Sequence, residues 1–381
     1  MSCVLLFGGG LLAAADDPFA DLNLEAHGFA SFGYLKTWGN NWHGETLDGT
    51  SEFWEAGANA IARPLDRLRI GAQVYARDLG IYGNGTAYLD WAYADYRVAD
   101  ALGIQAGRVK IPFGLFGEAQ DIDSARTAVF LPRMYVTRPR EALESTDGIK
   151  TYGSINDFDW ALYAGHKEFA TDGDFASYFA YLLNLSQVTD LDSGVLAGAM
   201  LHWHTPFPGL ELRACTFCMT EVTASGVQNG TGNRIDFSAE DWWAFNGGFL
   251  YEWPRFTLAG EFLRYQSPRT ITVTPAGGGA PIVRDSVYRD DFIYLTLTWH
   301  ARSWLDLYTG AEGWWTDPAN RWDGPYHYAL IAAVDLHPRP NWSLKVEGRQ
   351  CWGLKDIDPN LNPGELDQSW QLLALKTTVD F

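Results

Sequence analysis

The feature that most constrains this sequence is a strict alternation of apolar and polar residues, repeated in segment after segment. Near the C-terminus, Leu373 and Val379 lie on one face of an extended chain, and Lys376 lies on the other. The segments 67–77 and 342–349 show the same pattern. Alternation with a period of two is typical of β-strands that have one apolar and one polar face. The chain is therefore predicted to be all-β.

The alternation and the turns between alternating segments predict sixteen strands. These strands are 24–35, 51–63, 67–79, 87–98, 102–111, 147–154, 158–166, 195–204, 210–222, 241–253, 255–267, 287–300, 303–315, 325–336, 341–353 and 369–381. Short turns rich in Pro, Asp and Asn alternate with longer polar connections, as expected of antiparallel neighbours. Most segments reach the roughly 9–11 residues that a tilted strand needs to cross a bilayer. Segment 175–185 fits a loop poorly, and either a helix or a strand extension is expected there.

The composition supports a transmembrane barrel over a soluble β protein. Hydrophobic residues make up 47% of the chain and aromatic residues 15%, yet the mean hydropathy is −0.17. After residue 16, no apolar run approaches the about 18 residues of a transmembrane helix. A closed barrel in which apolar outward residues alternate with polar inward residues explains why the apolar content is high while the mean hydropathy is negative. Such a barrel also leaves no unpaired strand edge in hydrocarbon. The aromatic residues are then expected chiefly at the two membrane interfaces.

Charge and cysteine content exclude several other classes. The net charge of −19 disfavours nucleic-acid partners, because an acidic chain repels phosphate. Cys215 and Cys218 have the CxxC spacing of metal and redox sites, but residues i and i+3 of a strand point to opposite faces. His202 and His204 share one strand face, yet the sequence shows no third ligand beside them. No metal and no cofactor are therefore expected.

Residues 1–15 resemble the apolar region of a signal peptide, and residues 16–381 are expected to form a single transmembrane barrel domain. The apolar run ends in small residues before Asp16 and Asp17, as at a signal-peptidase site. No Lys or Arg precedes the run, which fits a start inside a longer precursor. The alternative is a short buried segment. Export leaves two environments: soluble outside the cytoplasm, or a β-barrel in an outer membrane.

Three stretches resemble Gram-negative outer-membrane porins. HGFASFGYLKTWGNNW at 27–42 is similar to their first strand. AGRVKIPFGLFGEAQDID at 106–123, with the motifs at 130–135 and 147–154, is similar to the fifth strand, inward loop and sixth strand of the phosphate-selective porin O/P-like superfamily. The resemblance implies a 16-stranded antiparallel barrel with short periplasmic turns and long extracellular loops, usually trimeric, that conducts solutes passively. Phosphate selectivity is not carried over, because the lysine cluster on which it depends is not found here.

The same resemblance implies that the chain end is an assembly signal. Val379 and the terminal Phe381 match the alternating C-terminal pattern that the barrel assembly machinery recognises in such proteins. Lipid, lipopolysaccharide, two further copies of the chain and small hydrophilic solutes are the other expected partners.

The resemblance further implies that the long connection 113–146 folds into the lumen and narrows it. Its charged residues, together with two bases that precede it, are the candidate constriction residues. They are Arg108, Lys110, Glu118, Asp121, Asp123, Arg126, Arg133, Arg138, Arg140, Glu141 and Glu144. Opposed acidic and basic groups across a constriction would produce a transverse field that orders ions. The alternative is a solvated surface loop with incidental charges.

Arg108 and Lys110 share a strand face and are expected either to form a basic ladder at the constriction or to hold the loop by pairing with its acids. The alternation also places other charged residues inward: Glu55, Arg67, Arg69, Arg77, Glu261, Asp306, Glu312, Lys345, Glu347 and Arg349.

The favoured function is a non-enzymatic porin, a water-filled channel for ions and small hydrophilic solutes. One alternative is an outer-membrane barrel enzyme of lipase or protease type, but the sequence lacks G-x-S-x-G and a persuasive Ser/His pair. The other alternative is a soluble extracellular glycan-binding β protein, in which exposed aromatic residues would stack on sugars.

Overall fold

The computed structural model describes residues 23–83, 85–123, 126–136, 143–316 and 325–381, and the alternating segments of the sequence form strands throughout these ranges. The strand segments are β1 (Glu25–Trp38), β2 (Phe53–Leu65), β3 (Leu68–Leu79), β4 (Tyr88–Ala99), β5 (Leu102–Lys110), β6 (Ser145–Ile155), β7 (Phe158–His166), β8 (Leu185–Asp192), β9 (Leu196–His204), β10 (Leu210–Gln228), β11 (Arg234–Trp253), β12 (Phe256–Thr274), β13 (Ile282–Arg302), β14 (Leu305–Thr316), β15 (Tyr326–Arg339), β16 (Trp342–Trp352) and β17 (Ser369–Asp380). Two α-helices, α1 (Arg133–Val136) and α2 (Asp174–Leu183), and two short 3₁₀ helices, Gly117–Ala119 and Pro359–Leu361, lie in the long connections. No helix within the described ranges has the length and apolarity needed to cross a bilayer.

The strand segments close into an antiparallel barrel with sixteen strand positions around its wall, here called staves. Segments β8 and β9 both pair with β10, β8 along Thr223–Gln228 and β9 along Glu211–Met219, so they form one interrupted stave. Strand β17 pairs with β1 and completes the ring. Beyond β17, the backbone N–H of Phe381 donates to the carbonyl of Gly28 at 2.9 Å. The predicted fold class is confirmed.

The alternation sets the two faces of the barrel wall as predicted. On β17, Leu375 and Val379 are 38% and 42% exposed, whereas Lys376 between them is buried. On β16, Lys345 and Glu347 are buried on the inward face. The outward face is therefore apolar and the inward face carries charge, which is the arrangement that a hydrocarbon surround requires.

One half of the interior differs from the polar lumen that the alternation predicts. Segment 175–185 is a helix, α2, followed directly by the stave extension β8. The rings of Phe179 on α2 and Phe237 on β11 lie 5.1 Å apart, and Phe179 is fully buried. Inward-facing Phe217, Tyr265 and Phe292 belong to the same apolar cluster. Many aromatic residues thus pack inside the barrel as a core instead of at the membrane interfaces, because the inward segments give them apolar partners.

Candidate pore constriction

The connection between β5 and β6 lies inside the barrel, and its described parts are residues 111–123, 126–136 and 143–144. Many of its side chains are shielded from solvent: Ile111 and Val129 are fully buried, and Asp123 is 1% exposed. A charged segment becomes buried at low cost only if its charges meet partners. The following contacts show how the wall provides those partners.

The first anchor is Asp123, which meets two lysines of neighbouring strands. Its carboxylate lies 2.9 Å from Nζ of Lys345 on β16 and 2.8 Å from Nζ of Lys376 on β17, and it accepts a hydrogen bond from the Thr378 hydroxyl at 2.6 Å. Nζ of Lys345 also donates to the backbone carbonyls of Asp123 and Arg126, both at 2.6 Å. Burial raises the pKa of Asp123, but Lys376, Lys345 and Arg126 outweigh burial and hold the pKa well below its usual range. The ionised Asp123 thereby fixes the loop to strands β16 and β17.

Arg126 extends this anchor to β2. Its guanidinium lies 2.9 Å from Asp123 and 3.0 Å from Glu55 on the wall. Glu55 also binds Lys376 and accepts from the Tyr75 hydroxyl at 2.6 Å. Acids and bases therefore alternate through the cluster, so each buried charge has an opposite neighbour.

A second anchor ties the loop to β14 and β16 through backbone groups. The N–H of Phe130 donates to Glu347 at 3.0 Å, and the N–H of Arg133 donates to Glu312 at 2.8 Å. Arg349, also on β16, holds both acids: it binds Glu347 and approaches Glu312 to 2.7 Å. The wall acids thus accept from the loop while remaining charge-compensated.

The Arg133 side chain connects the loop with the long β1–β2 and β16–β17 connections. It lies 3.1 Å from Asp356, and its guanidinium carbon is 4.1 Å from the centre of the Trp42 ring. Nε1 of Trp42 donates to the same Asp356 carboxylate at 2.8 Å. Because all three side chains are buried, this cluster fixes the top of the loop.

A third anchor is the buried Glu261 of β12. It accepts hydrogen bonds from the N–H of Leu115 at 2.8 Å, from the Tyr294 hydroxyl at 2.5 Å and from the Tyr135 hydroxyl. Leu115 and Tyr135 belong to opposite ends of the described loop. One wall carboxylate therefore pins both limbs of the loop.

Lys110 and Glu118 form a polar cluster, here called the entrance, where the chain leaves β5 and begins the loop. Nζ of Lys110 lies 2.8 Å from the Asp121 carboxylate and donates to the carbonyl of Glu118 at 2.9 Å. The Glu118 side chain is 43% exposed and lies 3.1 Å from Lys150 and 3.4 Å from Arg213. Burial raises the pKa of Glu118, but these two bases outweigh it, so the pKa is lowered. Glu118 is thus an ionised acid between two basic wall residues.

Arg108 occupies a different place from Lys110. It is paired across the strands with Asp147, and its guanidinium lies 2.7 Å from that carboxylate. The neighbouring positions on this face are Ile104, which is 37% exposed, and Ile149 on β6, which is 55% exposed. Arg108 therefore lies on the outward face and forms no basic ladder with Lys110, which was one of the two expected arrangements. Lys110 is the last residue of β5, and its flexible side chain reaches inward to the loop.

The other candidate residues fall into three groups. Glu118, Asp121, Asp123, Arg126 and Arg133 all contact wall or loop partners inside the barrel. Arg138, Arg140 and Glu141 lie outside the described residues, as does the predicted signal segment 1–15. At the chain end, Val379 is 42% and Phe381 73% exposed, on the outward surface where strand β17 meets β1.

Sequence reasoning did not single out several wall residues that the loop uses. Lys376, Lys150 and Arg213 all contact loop acids. The alternation in β17 already puts Lys376 on the inward face, and that signal could have identified it. No local pattern indicates that Asp356 or Trp42 would meet Arg133.

Water-accessible space remains beside the loop. A cavity of about 290 Å³ lies between the loop and strands β11 to β14, towards the short-turn end of the barrel. Phe116, Arg126, Leu131, Thr296 and His300 are among its lining residues. Arg126 is the charged loop residue in this lining.

One cluster at the entrance has metal-ligand spacing. Carboxylate oxygens of Asp90, Asp121 and Glu144 lie within 4.8 Å of one another. Nζ of Lys110 approaches Asp121 to 2.8 Å and Glu144 to 3.7 Å, so a fixed ammonium already compensates charge there.

Comparison with known proteins identifies relatives by fold alone. No protein-family model matches the chain, and no curated protein matches its sequence. Among solved structures, the trimer form of in-vitro folded OmpT, an outer membrane protein of Vibrio cholerae, has a TM-score of 0.55 at 13% identity, covering 94% of this chain and 99% of that one. The anion-selective porin from Comamonas acidovorans gives 0.55 at 11% identity, covering 94% and 99%. OmpF of Salmonella typhi in complex with daunomycin gives 0.58 at 12% identity, covering 95% and 98%.

These structures share the barrel fold along almost the whole chain. The porin fold that the sequence motifs imply is therefore confirmed, while the narrower resemblance to phosphate-selective members stays a prediction.

Proposed function

We propose that this protein is a porin of a Gram-negative outer membrane, a water-filled channel through which ions and small hydrophilic solutes diffuse passively. The observation that carries the proposal is the loop between β5 and β6, which lies inside a closed sixteen-stave barrel and is held there by buried ion pairs to β2, β16 and β17. A loop fixed in this way narrows the lumen without being free to block it. The proposed constriction is the loop 113–146.

The selectivity of the proposed channel comes from fixed charges at the loop. Glu118, whose side chain is 43% exposed, stands between Lys150 and Arg213, and Lys110 lies beside Asp121, so charges of both signs are held close together where the loop leaves β5. Such opposed charges act on permeating ions at short range, where screening by salt is weak.

The test compares two bases of one strand that lie on opposite faces. Reversal potentials are measured in planar bilayers with asymmetric KCl for the wild type, Lys110→Gln and Arg108→Gln. We expect stepwise conductance in all three, a shift towards cation selectivity for Lys110→Gln, and no shift for the outward Arg108→Gln. Correctly folded protein that inserts into bilayers and never conducts would contradict the proposal.

We also propose a homotrimer, since the similar Vibrio cholerae structure is described as a trimer form. Cross-linking or light scattering of detergent-solubilised protein measures the assembly directly. A single-chain mass in several mild detergents would exclude the trimer.

The proposed role is not enzymatic. Purified barrel should hydrolyse neither ester nor peptide substrates, and hydrolysis abolished by one Ser substitution would favour the barrel-enzyme alternative. The soluble glycan-binding alternative predicts a chain that stays monodisperse without detergent, which the apolar outward face disfavours.

A further inference from the structure

Four titratable side chains meet at the short-turn end of the barrel. Asp159 lies on β7, His202 and His204 lie on β9, and Glu211 lies on β10. In the strand register, Asp159 is opposite His202, and Glu211 is opposite His204. All four belong to the inward face, because the intervening Trp203 is exposed on the outward surface.

The two imidazole rings lie between the two carboxylates. Nε2 of His204 is 2.7 Å from Oδ2 of Asp159, and Nδ1 of His202 is 3.9 Å from the same oxygen. The remaining nitrogens face the other acid: Nε2 of His202 is 2.9 Å from Glu211, and Nδ1 of His204 is 3.5 Å from it. Each ring thus turns one nitrogen to Asp159 and the other to Glu211.

This arrangement has the parts of a transition-metal site. The ligand atoms of Asp159, His202 and His204 lie within 4.8 Å of one another. Bonds of about 2.0–2.2 Å to a tetrahedral Zn²⁺ place ligand atoms roughly 3.3 Å apart. The Asp159–His202 separation of 3.9 Å and the Asp159–His204 separation of 2.7 Å lie on either side of that value. Side-chain adjustments of less than about 1 Å would therefore accommodate the ion.

The surrounding residues fit a metal site as well. In metal sites, the second ring nitrogen of a histidine ligand usually donates to a carboxylate, which fixes the ring orientation. Glu211 is placed to accept from both rings. The Ser154 hydroxyl donates to Oδ1 of Asp159 at 2.5 Å and leaves Oδ2 for the ion. The His204 side chain is 44% exposed, so an ion can enter from water.

We propose that Asp159, His202 and His204 bind a divalent transition-metal ion of the Zn²⁺ class, with Glu211 orienting both imidazoles and water completing the coordination. The geometry carries this proposal independently of conduction. The histidine pair was visible in the sequence, but its acidic partners come from two other strands, and only the register brings them together.

The test is Zn²⁺ titration of chelator-stripped, detergent-purified full-length protein by isothermal calorimetry. We expect one ion per chain, and at least about 100-fold weaker binding for H202A/H204A. Replacing the orienting acid, Glu211→Gln, should weaken binding about 10- to 100-fold, as loss of an outer-shell partner usually does.

Two controls separate the site from general histidine binding. Nδ1 of His166 contacts the backbone carbonyl of Gly194, and His300 and His337 both approach Asp306. The variants H166A and H300A/H337A should bind as the wild type does.

Equal Zn²⁺ affinity of the wild type and H202A/H204A would overturn the proposal, and so would loss of binding in H300A/H337A alone. If H202A/H204A fails to fold, E211Q decides the question, because it keeps the size of the side chain. Unchanged binding in E211Q would then overturn the proposal.

Discussion

Replacing Asp123 by Asn tests whether the buried ion-pair cluster holds the loop in the barrel. The substitution keeps the side-chain size and removes the charge that faces Lys345 at 2.9 Å and Lys376 at 2.8 Å. Both lysines are almost completely buried, at 2% and 4% exposed. The two lysines would lose the counter-ion that they share next to Arg126.

The size of the effect follows from what remains after the substitution. Removing one partner of a buried ion pair costs about 3–5 kcal/mol. Lys376 keeps Glu55, and Lys345 keeps two backbone carbonyls and Asp335 at 3.9 Å. We therefore expect the lower end, about 3 kcal/mol, which raises the population of released loops by about 100-fold.

Single-channel recording reads this population, because a released loop changes the conductance level and adds current noise. We expect Asp123→Asn to show frequent sub-states and a shift towards anion selectivity, since the substitution removes one negative charge from the cluster that holds Lys345, Lys376 and Arg126. The matched control is Asp147→Asn, which removes an acid of an exposed outward pair with Arg108. Because this pair lies on the outward face, its removal leaves the contacts of Asp123 intact, and the variant should conduct like the wild type. If Asp123→Asn shows the noise, selectivity and urea-unfolding midpoint of the wild type, the loop is not held by this cluster.

Three further outcomes are expected. The substitution Phe179→Ala should lower the free energy of unfolding by about 3–5 kcal/mol, because it opens a cavity beside Phe237 in the apolar half of the interior. Denaturant unfolding of the protein in lipid vesicles measures this change, and a change below about 1 kcal/mol would contradict the prediction. Folding lowers the pKa of Asp123 below its ordinary 3.8, so the stabilising contribution of Asp123 is complete above pH 3.8 and is lost as the pH falls through the lowered pKa. The loop-dependent conductance should therefore persist from pH 7 to pH 4.5 and fail only in stronger acid. The substitution Tyr135→Phe should lower the free energy of unfolding by about 1–3 kcal/mol, because it removes a hydroxyl donor from the buried Glu261. The same substitution at Tyr34 of β1, opposite the outward Leu375, should leave both stability and conductance unchanged.

The barrel wall could be predicted from local pattern because the faces of a strand follow from a period of two. Lys376 and Leu375 are neighbours in sequence, yet one is buried and the other is exposed, as their alternation indicates. The interior could not be predicted in the same way. Phe217 and Phe292 are inward-facing on their strands, but whether an inward aromatic residue meets water or another ring depends on which segments enter the barrel.

The constriction shows the same division. The segment 113–146 and its charges were recognisable in sequence, whereas the partners of Asp123 lie 222 and 253 positions away. Arg108 and Lys110 lie two residues apart on one strand, so alternation assigns both to the same face, but their surroundings differ. Arg108 pairs with Asp147 on the outward face, and Lys110 reaches the loop from the end of β5. Alternation specifies which way a strand position points, but the long side chain of Lys110 at the end of β5 still reaches the loop inside the barrel.

The sequence by itself determined the sixteen staves, their antiparallel order and which face of each strand is apolar, because alternation and turn chemistry act between neighbouring residues. The tertiary structure alone decided which charges compensate one another, which half of the lumen is apolar, and that His202 and His204 have Asp159 and Glu211 beside them. The physical reason is that barrel closure and strand register place residues from distant parts of the chain within contact distance, and such pairings leave no periodic trace in the sequence.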